Sequence, residues 1–122
     1  MSAHAACASA EFEFGAADAW GHFAPAFHLV DAFGIFCATA VHAPHVTLRA
    51  WDARAALCAI DSHGVTVTNV ASTMLALVLA QRARAAEAGG NAERCAAVGG
   101  ELRALRLLSC GGSGLALSLI HI

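Results

Sequence analysis

Short runs of β-branched and aromatic residues alternate along this chain with longer apolar or alanine-rich runs, and that alternation limits its fold more than anything else. Strand-like runs fall at residues 19–24, 45–49, 65–70 (Val-Thr-Val-Thr-Asn-Val) and 105–109. Helix-like runs fall at 1–12, 29–41, 53–62 and 74–87, and a short polar helix is expected between Gly89-Gly90 and Gly99-Gly100. Strands separated by helices of about ten residues or more imply right-handed crossovers and a mainly parallel sheet. The expected fold class is therefore α/β. Local signals punctuate it: Gly15 stops the first helix and Pro25 holds Ala24 extended as the chain leaves the sheet. Pro44 breaks the nearly all-apolar second helix. Asp52 caps the third, with Gly64 as its stop, and Ser72 or Thr73 caps the fourth.

On a parallel sheet, ligands bind beyond the carboxyl ends of the strands. That rule selects three places before any chemistry is considered: residues 25–28, 71–73 and 111–114. None of them holds a pair of carboxylates, which argues against an independent acid–base enzyme. Gly111 and Gly112 would let the backbone approach a flat ligand where a Cβ would clash. The run Gly111-Gly112-Ser113-Gly114 fails as a nucleophile elbow, because Leu115 stands where the second glycine belongs.

Composition decides what kind of body the sheet belongs to. The chain is 58% hydrophobic and only 13% charged, against about 45–50% and about 25% in ordinary globular domains. This is the composition of a membrane protein or of the interior of something larger. The longest uncharged stretch, residues 62–81, is too polar at its start to span a bilayer, and residues 32–48 are short for a span. No membrane span is expected. The net charge is −2, and Arg82, Arg84, Arg94, Arg103 and Arg106 are spread among glutamates as on a solvated face, so no nucleic-acid partner is expected. Cys7, Cys37, Cys58, Cys95 and Cys110 are odd in number and never closely spaced. They read as reduced, buried apolar residues, and with no secretory leader they predict a cytoplasmic protein. No zinc site is expected, since Cys-x-x-Cys and helical histidine pairs are both missing.

An ordered set of segments goes further. Trp20-Gly-His-Phe-Ala-Pro25-Ala26-Phe27-His28 ends in Pro-x-Phe-His. Trp51-Asp52 opens a helix running to Leu57, and Ala71-Ser72-Thr73-Met74 follows Val65-Thr-Val67. Leu105 to Leu115 runs through Ser109-Cys110 into the glycine turn. In this order and spacing the set resembles the AMP-forming acyl-activating enzymes, acyl-CoA synthetases and their adenylating relatives, over residues 2–116.

The resemblance implies a ligase. Its enzymes activate a carboxylic acid, fatty or aromatic, with ATP to an acyl-adenylate and transfer it to CoA, using Mg2+. It implies that His28 lies beside the acyl group and phosphate of the adenylate. The turn at Gly111, Gly112 and Ser113 would pack against the adenylate, and Val30 and Gly34 would line the acyl pocket. Three departures stand out: Ser113 for the usual alanine, Gly114 for proline, and Ser72 for proline. Such enzymes are several times longer than this chain. Their Ser/Thr/Gly-rich phosphate loop, normally placed before a helix such as residues 1–10, is missing, as is the later Tyr-Gly-x-Thr-Glu segment.

The expectation is an internal fragment of the AMP-binding N-terminal domain over residues 1–116, inactive by itself and prone to self-associate through exposed strand edges. Residues 117–122 (Leu-Ser-Leu-Ile-His-Ile) match the in-frame translation of a transposase-library adapter, and are expected to be a scar. Three other readings stay open: a piece of a peptide-synthetase adenylation domain, a small non-catalytic α/β binding or interaction module, and a small membrane-associated protein.

Overall fold

The computed structural model describes residues 3–87, 102–112 and 114, without the side chains of Val30, Ala86 and Glu87. Four helices and four strands alternate: α1 Ala3–Glu11, β1 Trp20–His22, α2 Leu29–Ala40, β2 His45–Thr47, α3 Ala53–His63, β3 Val67–Ala71, α4 Ser72–Glu87 and β4 Leu107–Gly111. The strands form one sheet in the order β2-β1-β3-β4 with every neighbouring pair parallel. The expected α/β class and parallel sheet are what the chain adopts.

The capping chemistry at α3 works as read. Asp52 accepts a hydrogen bond from the Ala55 amide at 2.7 Å, and Gly64 closes the helix in the left-handed region at φ 62°. The end of α2 needs no glycine: His42 takes φ 58°, and the Ala43 amide bonds the Ala38 carbonyl. Three expectations need correction. Ser72 and Thr73 lie inside α4, which begins directly after β3, because the strand's last residue already carries the chain into the helix. Strand β1 stops at His22 rather than Ala24, since its pairing with β2 and β3 ends there. Cys7 is exposed, although Cys37 is fully buried. The polar helix expected between the two glycine pairs, Cys95, Ser113, residues 117–122 and the glycine turn beyond 114 lie outside the described residues.

The sheet carries an apolar cluster on each face. Fully buried Trp20 centres one, with Ala5, Phe14, Cys37, Ala38 and Val67 from α1, α2 and the sheet. The other joins Phe23, Val65 and Val70 to Ala56, Ala59 and Ile60 of α3. Burying a side chain such as Trp20 or Ile60 contributes about 1.5–3 kcal/mol each.

An ion pair pins the amino-terminal edge of the sheet. Arg106 donates from Nε and Nη2 to the two Asp18 carboxylate oxygens, both at 2.7 Å, and from Nη1 and Nη2 to the carbonyls of Phe12 and Glu13. Thr66 Oγ1 and the Gly15 amide complete the Asp18 shell. Arg106 is thus no part of a plain solvated face, as its neighbours in sequence suggested. It ties the approach to β4 to a residue 88 positions earlier.

Candidate functional site

Chain order and strand order together locate the site. After β1 the chain crosses by α2 to β2 on one side, and β3 then pairs on the other side of β1. The loops leaving β1 and β3 therefore part in opposite directions, and a crevice opens beyond their carboxyl ends. An open depression of about 420 Å³ lies along the carboxyl ends of β1 and β2, lined by His22, Phe23, Ala24, Pro25, Leu48, Arg49, Ala50 and Trp51, with Met74 from the first turn of α4. Its walls are mostly apolar, with Arg49 as its cation. A site with an apolar body and few polar groups suits an organic ligand.

His28 stands at the rim of this edge. It is the residue before α2, extended at φ −89° and ψ 140°, and its side chain makes no capping bond to the helix. The side chain is exposed and its ring is tilted 40° against that of Phe27, with centroids 4.6 Å apart. Phe27 and Leu29 on either side are 84% and 85% exposed. This histidine, between two exposed apolar side chains, is open to solvent.

The glycine turn ends β4 on the same edge. Among the described residues, a Cβ at Gly111, Gly112 or Gly114 would meet nothing within 4 Å, and Gly112 has φ 96°. None of those residues blocks the approach of a flat group to this backbone, and only glycine adopts that φ without strain. Gly34 differs: it is buried against the Trp20 indole, where a Cβ would overlap the ring. Its glycine therefore has a packing reason. For Val30 the backbone alone is described, in the first turn of α2.

Behind the rim lies a polar cluster. Asp31 is 0% exposed. Its Oδ1 accepts from Trp20 Nε1 at 2.9 Å and its Oδ2 lies 2.9 Å from His22 Nδ1. His22 Nε2 lies 2.8 Å from His45 Nδ1, and His45 Nε2 lies 3.3 Å from Thr39 Oγ1. Burial holds His45 below the usual imidazole range, with the neighbouring His22 adding to this and Asp31 opposing it. The signal for Asp31 was present in the sequence, as one carboxylate in the otherwise apolar run Leu29–Ala40; buried carboxylates are nearly always paired. The part played by Arg49 and Trp51 had only the Trp51-Asp52 helix start to announce it.

Among the described residues, no group of three or more His, Cys, Asp or Glu converges to hold a metal ion. No helix among them is long and apolar enough to cross a membrane.

Comparison with known proteins places this geometry. Two solved structures of o-succinylbenzoate CoA synthetase (MenE) from Bacillus subtilis share the fold. The complex with AMP has a TM-score of 0.71 and 20% identity, over 96% of this chain and 21% of that one. The complex with the acyl-adenylate intermediate OSB-AMP has a TM-score of 0.72 at the same identity and coverage. The inhibitor-bound N-terminal domain of FACL13 from Mycobacterium tuberculosis matches with a TM-score of 0.72 and 14% identity, over 95% of this chain and 26% of that one. The chain thus spans about a fifth to a quarter of the length of these structures. Among curated proteins nothing matches. The family described as AMP-binding enzyme matches residues 1–121, nearly the whole sequence, and the chain belongs to that family.

Proposed function

We propose that this chain is part of the AMP-binding domain of an adenylate-forming acid–thiol ligase. The parent enzyme joins a carboxylic acid to the α-phosphate of ATP with release of pyrophosphate, and a CoA thiol then displaces AMP from the acyl-adenylate. The observation that supports this reading is that the segment at residues 25–28 after β1 and the glycine turn after β4 both stand at the carboxyl edge of one parallel sheet. Family membership names the nucleotide chemistry that such an edge would serve.

In this reading His28 meets the reacting carboxylate and phosphate. Gly111 and Gly112, with Ser113 beyond them, form a backbone wall for the adenylate, and a hydroxyl at Ser113 adds a polar contact there. Val30 and Gly34 belong to the acyl side; Gly34 acts by letting α2 sit directly on Trp20. Fatty and aromatic acids both suit the apolar walls. ATP, Mg2+ and CoA are cofactor and co-substrates of the parent, and no described residue is assigned to the metal. A sheet that leaves Phe27, Leu29, Phe36 and Leu77 more than half exposed fits a piece of a larger domain. The chain alone is therefore proposed to be inactive and to self-associate, and its parent to be cytoplasmic. The scar reading of residues 117–122 is likewise a proposal.

The test begins with the source DNA across both ends of the reading frame, followed by expression of the whole encoded enzyme. Acid-dependent exchange of pyrophosphate into ATP, lost in His28→Ala, is the expected result. A whole enzyme that forms no acyl-adenylate from any fatty or aromatic acid would sink the ligase reading.

A further inference from the structure

The cluster of His22, Asp31, His45 and Thr39 is more ordered than packing requires. The His22 and His45 rings lie 9° from coplanar, with centroids 5.1 Å apart. Their facing nitrogens are 2.8 Å apart. That centroid distance is the nitrogen separation plus about one ring radius at each end, so the two nitrogens meet head-on, as hydrogen-bond alignment demands. Each contact in the cluster is then one link of a chain, and a single assignment of protons satisfies them all. An ionised Asp31 can only accept. Trp20 Nε1 donates to one of its oxygens, so His22 Nδ1 carries the proton donated to the other. His22 Nε2 is then an acceptor and takes the proton of His45 Nδ1, which leaves His45 Nε2 to accept from the Thr39 hydroxyl.

We propose that Asp31 is a positioning residue that acts through this donor chain, Thr39 to His45 to His22 to Asp31, fixing both imidazole tautomers and seating the first turn of α2, with His28 at its head, on β1. Asp31 lies three residues beyond His28. The amides of Asp31 and Ala32 both bond the His28 carbonyl, at 3.0 and 2.9 Å. The carboxylate thus holds β1 with its side chain and the His28 backbone with its amide. The role given to His28 rests on the ligase reading above, but the donor chain does not.

The chain also has a direction that one proton can reverse. A proton from solvent binds the exposed His45 at Nε2 once the Thr39 hydroxyl turns away, and His45 passes its Nδ1 proton to His22 Nε2. One proton enters, none is lost, and the pair carries a single positive charge opposite Asp31. A second proton would set two cations 2.8 Å apart across the same contact. The charges acting on His45 are those of His22 and Asp31. Thr39 and Trp20 are neutral.

The experiment is long-range 15N–1H NMR of both imidazoles in the 122-residue chain, with amide exchange at Ala32. At alkaline pH the expected pattern is Nδ1–H on both His22 and His45, the reverse of the tautomer imidazoles favour in water. His45→Asn, a change at an exposed position, is expected to remove the donor facing His22 Nε2 and so move the 15N resonance of that nitrogen towards that of an unbonded imidazole nitrogen. Asp31→Asn is expected to lose the Nδ1–H pattern at His22 and to speed exchange at Ala32 by about fivefold, the loss of one net hydrogen bond. An Nε2–H tautomer at His22, a His22 Nε2 resonance indifferent to His45→Asn, or unchanged Ala32 exchange in Asp31→Asn would each overturn the proposal. If Asp31→Asn fails to fold, the tautomers of the unaltered chain and the His22 Nε2 resonance in His45→Asn still decide it. None of these readings depends on ligase activity, so failure here leaves the proposed function standing, and the reverse.

Discussion

Replacing Asp18 by asparagine removes charge from the amino-terminal edge of the sheet while leaving the volume nearly unchanged. In the native chain four donors converge on this carboxylate: the Gly15 amide, Thr66 Oγ1, and Arg106 Nε and Nη2. The Arg106 hydrogen bonds, ahead of those from Thr66 and Gly15, hold the Asp18 carboxyl far below the usual carboxylate range even though burial opposes this. The Asp18 side chain is 10% exposed and that of Arg106 is 40% exposed. The asparagine oxygen can still accept from one side, but its NH2 group faces guanidinium donors on the other. Each neutral hydrogen bond lost costs about 1 kcal/mol and each charged one about 1.5–3 kcal/mol. The guanidinium recovers much of this from water and keeps its bonds to the Phe12 and Glu13 carbonyls, so the charged pair is discounted towards the value of an exposed bridge. The expected net loss is about 2 kcal/mol.

The sign of the pH dependence follows from the lowered folded value. Stability from Asp18 is present above the ordinary aspartate range, near about 4, and is lost as pH falls below it towards the folded value. Urea unfolding followed by the fluorescence of Trp20 and Trp51 therefore should show Asp18→Asn about 2 kcal/mol less stable at pH 7. The gap should shrink progressively below about pH 4. A loss under about 0.5 kcal/mol, or one equal at pH 7 and in acid, would refute the idea that this pair pins the sheet edge.

The remaining predictions concern single sites. Gly34→Ala would drive a Cβ into the Trp20 indole, 2.6 Å from Nε1. Because that ring is fully buried and hydrogen-bonded, a destabilisation of about 1–3 kcal/mol is expected in the same urea assay; a neutral result would mean that α2 shifts freely. Asp52→Ala should cost about 1 kcal/mol through loss of the α3 cap, read as a lower urea midpoint with an unchanged slope. His28→Ala should leave the stability of the chain within about 0.5 kcal/mol, because the side chain is exposed and caps nothing, while abolishing adenylate formation in the whole enzyme. Phe27→Ser with Leu29→Ser should reduce the mass of the isolated chain in light scattering towards that of a monomer; unchanged association would place the sticky surface elsewhere.

Much of the fold was legible because it rests on local rules. The four strand–helix alternations, the Asp52 cap and the Gly64 stop are written within a few residues of where they act. The rule that parallel sheets bind ligands at their carboxyl edge picks out residues 25–28, 71–73 and 111–114 as candidates without coordinates. What stayed hidden was every interaction between distant positions. Arg106 looked like one surface arginine among five, because nothing local says that its guanidinium reaches Asp18. Nothing local pairs His22 with His45, because they meet only when β2 pairs with β1 in one register.

The sequence by itself determined the α/β alternation, the family and the residues that stand at the strand ends. Periodicity and turn chemistry are short-range, and they survive in a linear reading. Only the tertiary structure decided the strand order β2-β1-β3-β4, and with it the crevice between β1 and β3. It also decided the burial of Asp31 beneath His28 and the lining of the depression by Arg49 and Trp51. Those features depend on which strands pair and on which face each helix lands, and the apolar pattern of a doubly covered sheet, buried on both sides, carries no mark of either.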